Sequence, residues 1–469
     1  MNDHPNSPSP SGPLPPPGCP AHAHGTADGR QRIYGPEAEP LGPLLERLRA
    51  EYGEVAPVLV PGDIPAWLVL GYNAVRDVSV SSSRAVCDSR HGRVYQQGLV
   101  PEDSPLRPMT EYKPLAPFVD GEPLARLRSA VIDGLDFNRH SLRRYITRYA
   151  DRLIDDFASR RTADLVTEYA AQLPALVLAW MYGLPEEESP ALVDAVRDLT
   201  SGSERAAEGN AFVTRTMQEL LRRRKSGQTV STTFGGRDFV SRLLAHESQL
   251  TDDEVVEHLR LVFVAGYTPT VALIANTVVQ ILTQRQFSRN LTSGQMTLPE
   301  ALNRVLWDDP PIGLLPTRWA AGDMVVGEQR IPSGEMIVLG IEAANADPTA
   351  REPGTPVPHS EAHLAFGAGP HECPGRDIGM AIAEIGIETL LTRLEELELT
   401  VTQGELRWQS AWVSQRLEEL PVRFSAVQQA ARKGTGRPAT AAPTDSQAPE
   451  TTADRQPDSR TRKRSLLRR

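Results

Sequence analysis

Cysteine is scarce in this chain: three in 469 residues, Cys19, Cys87 and Cys373, far apart and odd in number. That argues against a disulfide framework and fits a reducing compartment. No cysteine has a second one nearby, so four-thiolate zinc and iron–sulfur centres are excluded. Positive charge is not in excess either. Fifty Lys and Arg stand against sixty Asp and Glu, a net charge of −10, which removes the general case for nucleic-acid binding. No run of eighteen apolar residues occurs, so no membrane-spanning helix is expected. The first stretch, MNDHPNSPSPSGPLPPPGCPAHAHG, lacks the basic and apolar regions of a signal peptide. A soluble, cytoplasmic protein is the expectation. No FAD, FMN or NAD fingerprint is present.

What is present centres on Cys373. Phe366, Gly367, Gly369, Pro370 and His371 precede it, and Pro374 and Gly375 follow. Beyond them, apolar residues recur at Ile378, Ala381, Ile382, Ile385, Leu390, Leu391 and Leu394, close to a helical period. Cys373 is therefore expected at the mouth of a helix, after a glycine-rich loop. Free N–H groups and partial positive charge at a helix start favour thiolate, the metal-binding form of cysteine. The glycines allow backbone to approach a flat ligand closely. A lone soft thiolate suits the axial position of a haem iron.

The pattern Phe366-Gly367-x-Gly369-x-His371-x-Cys373-x-Gly375 resembles the haem loop of the cytochrome P450 family. The resemblance covers about residues 31–427 and implies that family's fold, mainly α with a small β region. It implies haem b held by Cys373, with Phe366, Gly367 and His371 in the loop around it. In Leu124-x-x-x-Arg128 the family's histidine is missing, but its arginine is present. Arg128 and Arg318, with His371, are the expected partners of the haem propionates.

Two further family motifs are altered. Thr251 to Glu254 reads as a capping box opening one helix over about 252–282. In the family this helix crosses the distal haem face and carries Ala/Gly-Gly-x-Asp/Glu-Thr-Thr/Ser. Here it reads Ala265-Gly266-Tyr267-Thr268-Pro269-Thr270. Ala265 and Gly266 match and leave space above the haem. The acid is replaced by Thr268 and the alcohol by Pro269, so Thr268 and Thr270 are the candidates to order water for proton delivery. Pro269 removes the donor to the Ala265 carbonyl and kinks the helix. The family's Glu-x-x-Arg, part of a buried ion-pair network bracing the haem loop, is also gone. Arg304 and Trp307 stand at its two positions. Trp307 could substitute by packing, and Glu300 could pair with Arg304.

Other expectations are local. LGPLLERLRAEY reads as a helix, VAPVLV and AWLVLG as strands around a turn, and residues 86–117 as a long loop that in the family closes over substrate. Leu314, Leu315 and Pro316 would face the substrate. VVGEQRIPSGEMIVLGI reads as a hairpin, and Ala344-Asn345-x-Asp347-Pro348 resembles a structural turn of the family. Residues 1–30 and 428–469 read as disordered tails by composition. The function implied is a haem-thiolate monooxygenase. It would insert one oxygen atom from dioxygen into a small organic substrate, with electrons from NAD(P)H through a ferredoxin and its reductase. Nucleic acid and membrane are not expected partners. A peroxide-using haem enzyme and a non-catalytic haem-binding regulator on the same scaffold are the alternatives.

Overall fold

Two threonines begin the helices that matter most for the site. Thr251 Oγ1 accepts from the Glu254 N–H at 3.2 Å, and Glu254 accepts from the Thr251 N–H at 2.9 Å. This capping box opens the central helix, Asp252–Thr283. Thr297 and Glu300 repeat the device at the start of Leu298–Asp308, with Pro299 in the first turn. Each box satisfies N–H groups that a helix start leaves unpaired. In the computed structural model the described residues are 29–35, 38–200, 205–227, 238–350 and 360–425. The expected tails, apart from residues 29 and 30, lie outside them, as do positions 228–237 and 351–359.

The central helix has the length and apolarity of a membrane span, but most of its apolar stretch is buried in the protein. It packs against the helices Gln172–Met181, Ala206–Lys225, Leu298–Asp308 and Arg376–Arg393. Apolar residues on all its sides are what a fully surrounded helix requires. Tyr182 Oη donates to the Leu259 carbonyl at 2.8 Å, and Tyr169 Oη to the Gly386 carbonyl at 2.6 Å. Both bonds satisfy phenols inside an otherwise apolar helical core.

Beside this core lies a six-stranded sheet in the order Gln31–Arg32, Val55–Val60, Ile64–Val69, Met336–Gly340, Leu314–Ala320, Ala85–Val86. The expected antiparallel pair forms between Val55–Val60 and Ile64–Val69. The expected single hairpin over 325–341 is corrected. Met324–Val326 pairs with Gln329–Ile331, and Met336–Gly340 instead enters the large sheet, between two other strands. Its all-buried sequence, MIVLG, suits a strand with neighbours on both edges. Pairing of Leu314–Ala320 slips between Leu315 and Arg318. Pro316 lies in the slip, where its missing N–H costs no ladder bond. A bulge of this kind re-aims the side chains that follow it, here Arg318. Leu314 is fully buried in the sheet core with Leu68, Leu106, Trp319 and Met336. Pro316 is buried too. The expectation that both face a substrate is corrected accordingly; Leu315 is the half-exposed one.

Candidate active site

Gly367 and Gly369 take φ of 74° and 71°, a conformation that costs a side-chain-bearing residue about 1 kcal/mol or more. A Cβ on Gly369 would also stand 3.0 Å from the Ser79 carbonyl and from Val80. These turns bring the Cys373 N–H to the Phe366 carbonyl at 2.8 Å. The helix Arg376–Arg393 begins immediately afterwards. Cys373 is solvent-accessible, yet closely surrounded by protein atoms, so it sits in a recess rather than on a convex surface. Desolvation pushes its thiol up. Backbone N–H groups of Gly375 and Arg376 and the charge of Arg128 act the other way. Those N–H groups are the anion-stabilising contribution of a helix start.

The central helix passes Thr270 3.5 Å from where a Cβ of Gly379 would stand, so the two helices touch there. Ala265, one turn earlier, is exposed within a helix otherwise largely buried. Ala265 is thus an accessible point on the central helix, and Cys373 one on the loop that leads into the helix it touches. Gly266 faces Leu178, which lies 3.5 Å from a built Cβ. Of the small pair, only Ala265 is exposed. Pro269 lies inside the continuous helix. The Thr270 hydroxyl donates to the Gly266 carbonyl at 2.7 Å and is buried. Thr268 is half-buried, with no side-chain hydrogen bond among the described residues.

The three expected propionate donors share one neighbourhood. Arg318 is 3% exposed. It donates to Cys87 Sγ at 2.6 Å and to the Thr317 carbonyl and hydroxyl at 3.1 and 3.0 Å. His371 Nε2 lies 3.1 Å from Asp120 Oδ1, whose other oxygen accepts from the Cys87 N–H at 2.7 Å. Burial, and the charges of Arg318 and Arg128, lower the His371 pKa while Asp120 raises it. Its neutral ring therefore gives Nε2–H to Asp120. Burial pushes the Cys87 thiol up to about 12, so it receives the Arg318 bond as a neutral thiol. Neither Arg128 nor Arg318 has a carboxylate within ion-pair distance among the described residues. Cys87 and Asp120 were missed by the sequence reading, since Cys87 meets Arg318 and Asp120 meets His371 across more than two hundred residues and no local pattern marks them.

The altered brace has a definite replacement. Trp307 is 3% exposed, and its indole N–H donates to the Ser360 carbonyl at 2.8 Å. Arg304 lies 3.5 Å from Asp308 and over the Phe287 ring, while Glu300 closes its capping box. The expected Glu300–Arg304 pair is thereby corrected: the cap holds the carboxylate back toward the helix start. Asn345 links Leu306 to Leu364, donating to one carbonyl at 3.0 Å and accepting the other N–H at 2.8 Å. Asp347 accepts from Tyr72 and Thr349, the structural role expected of that turn.

A recessed thiol at the start of a helix, a small exposed residue on the helix that packs against it, and two arginines without carboxylates among the described residues fit a flat, dianionic iron porphyrin. Fold and site together define a haem-thiolate protein. No protein-family model matches the chain. The chain is 27% identical over 371 residues to cytochrome P450 107B1 of Saccharopolyspora erythraea, covering 77% of this chain and 89% of that protein. It is 29% identical over 395 residues to the vitamin D(3) 25-hydroxylase of Pseudonocardia autotrophica, covering 81% and 93%. Among solved structures, CYP154C4 from Streptomyces sp. W2061 superposes with a TM-score of 0.76 at 25% identity, covering 85% of this chain and 98% of that one. The chain is a cytochrome P450 of the bacterial kind, with haem held by a cysteine thiolate, and its enzyme class is monooxygenase.

Proposed function

We propose that this enzyme inserts one oxygen atom of dioxygen into a small organic substrate in the cytoplasm, with electrons passed from NAD(P)H by a ferredoxin and its reductase. The other oxygen atom leaves as water. The observation that carries the reading is Cys373, accessible yet closely surrounded, at the end of a loop with two positive-φ glycines and just before the helix Arg376–Arg393. When bound, the haem supplies the oxygen-activating chemistry, and a thiolate ligand favours O–O cleavage. Arg128, Arg318 and His371 would hold its propionates; Cys373 would ligate the iron. Phe366 and Gly367 shape the loop, and Ala265 and Gly266 the helix above it. A proton route would start from water held at the Ala265 carbonyl, which Pro269 leaves without its helical donor. Thr268 is the nearer candidate to orient that water, because the Thr270 hydroxyl is already given to Gly266.

One observation favours a second reading. With Pro269 at the alcohol position and Thr270 engaged, a co-substrate that needs no dioxygen-linked proton delivery suits this helix. Hydrogen peroxide would supply both the oxygen atom and its electrons. The deciding measurements are two. A reduced carbon-monoxide difference spectrum tests thiolate ligation, and its absence in haem-loaded protein rejects both readings. Turnover with NAD(P)H, ferredoxin and reductase supports the first; turnover with peroxide alone supports the second.

A further inference from the structure

We propose that Tyr72, Trp307, His363 and Phe366 form an aromatic column that holds the Cys373 loop in its ligating position, with Trp307 and His363 as positioning residues. The proposal rests on Cys373 as the haem ligand. Tyr72 and Trp307 stack at 6.3 Å with planes 20° apart. Trp307 meets His363 edge-to-face at 6.1 Å. His363 meets Phe366 at 5.8 Å, and the Arg376 guanidinium covers Phe366 at 5.6 Å. The rings come from the helix Tyr72–Val80, the helix Leu298–Asp308 and the loop before Cys373, and the cap comes from the cysteine helix.

From Ser360, the partner of Trp307, to Phe366 the chain is pinned at every second residue. The Ser360 carbonyl accepts from Trp307 at 2.8 Å and the Ala362 carbonyl from Tyr72 Oη at 2.6 Å. The Leu364 N–H donates to Asn345 at 2.8 Å, and the Phe366 carbonyl accepts from the Cys373 N–H at 2.8 Å. Among these anchors His363 is anomalous. It is 5% exposed, and neither ring nitrogen has a hydrogen-bond partner among the described residues. Leaving a buried donor and acceptor unmet is costly, so hydrogen bonding does not account for this ring. What it does provide is two faces, one for Trp307 and one for Phe366. Aromatic pairs at these separations contribute beyond their buried area. A column of neutral rings therefore does here what paired charges do elsewhere, without the need to desolvate ions.

The test is the lifetime of the thiolate signature in the reduced carbon-monoxide complex of the haem-loaded protein. Circular dichroism of each variant reports folding separately. Trp307→Ala and His363→Ala are each expected to lose the signature about tenfold faster than the parent. His363→Phe, which keeps both ring contacts and removes the orphaned nitrogens, is expected to restore the parent lifetime. If Trp307→Ala does not fold, His363→Ala decides. A folded alanine variant as long-lived as the parent overturns the column, as does a His363→Phe variant no better than His363→Ala. A parent lacking the signature would instead overturn Cys373 as ligand, so the two failures are distinguishable.

Discussion

Two buried histidines contribute to how this protein responds to acid. His258 is fully buried, bonded through Nδ1 to the Glu254 carbonyl at 2.7 Å and through Nε2 to the Ala116 N–H at 3.4 Å. That pattern requires the neutral ring, and burial lowers its pKa even though Glu254 and Glu257 oppose the shift. His363 is pushed down to about 4, by burial first and then by Arg376. A histidine depressed in the fold stays neutral while the unfolded chain takes up the proton. Its contribution is therefore intact above the unfolded value, near ~6.5, and is lost as pH falls toward the folded value. For His363 alone this amounts to about 2 kcal/mol by pH ~5. Asp309 and Glu342, whose carboxyls burial pushes up to about 6 and about 7, act in the opposite sense over this range, so the measurement is the difference between parent and His363→Phe holoprotein: urea unfolding at pH ~7 and ~5 is expected to show the parent losing more stability than the variant. An unchanged difference in the variant would assign the acid sensitivity elsewhere. None of this was visible in the sequence, where His363 is one residue before an apolar pair and carries no mark of an unmet ring.

At the scale of elements, helix contacts are set by residues whose importance lies in what they lack. Gly209 places the helix Ala206–Lys225 against Ser189–Thr200 so closely that a Cβ would stand 2.5 Å from the Ala195 carbonyl. Gly209→Ala would gain about 1 kcal/mol in helix propensity. A clash with backbone cannot be relieved by rotating a side chain, and overpacking costs about 1–3 kcal/mol. The net expectation is a lower thermal midpoint; a higher one would mean that the helices part freely. Pro269 lacks a donor rather than a side chain. Pro269→Thr returns both the N–H and an alcohol to the central helix. If water at the Ala265 carbonyl is the proton source, this variant shifts the ratio of product to peroxide released during NAD(P)H-driven turnover. An unchanged ratio would remove that carbonyl from the proton route. The helices themselves were legible because their signals are local. The Thr251 capping box, the apolar run of the central helix and the glycines before Cys373 sit within a few residues of what they determine, whereas the second box, Thr297 with Glu300, went unread because Glu300 was assigned to Arg304. The strand Met336–Gly340 was misassigned as half of a hairpin because its partners, Ile64–Val69 and Leu314–Ala320, are chosen by burial on both edges. Trp307 was recognised as a substitute by its position, but the rings it meets lie in other elements, Tyr72 among them.

The whole molecule is organised around charge that the protein alone leaves uncompensated. Arg318 is buried against a thiol, a hydroxyl and a carbonyl, without a carboxylate within ion-pair distance among the described residues. Burying a cation on neutral acceptors costs several kcal/mol, of the order of 3–5, relative to a paired one. Arg128 lies close enough to Cys373 and His371 to perturb both. The nearest acid, Asp120, is engaged by His371 and the Cys87 N–H. Two propionates would supply the missing negative charge, so haem binding and folding are thermodynamically linked. That linkage makes the sign of a substitution depend on the state in which it is measured. Arg318→Met replaces a buried cation with an apolar chain of similar length. It is expected to raise the thermal midpoint of haem-free protein and lower that of haem-loaded protein, so that the two effects cross. A substitution that merely damaged packing would lower both midpoints. One that left the holoprotein unaffected would mean that Arg318 does not meet a propionate, and the counter-charge for this buried guanidinium would then have to come from the substrate.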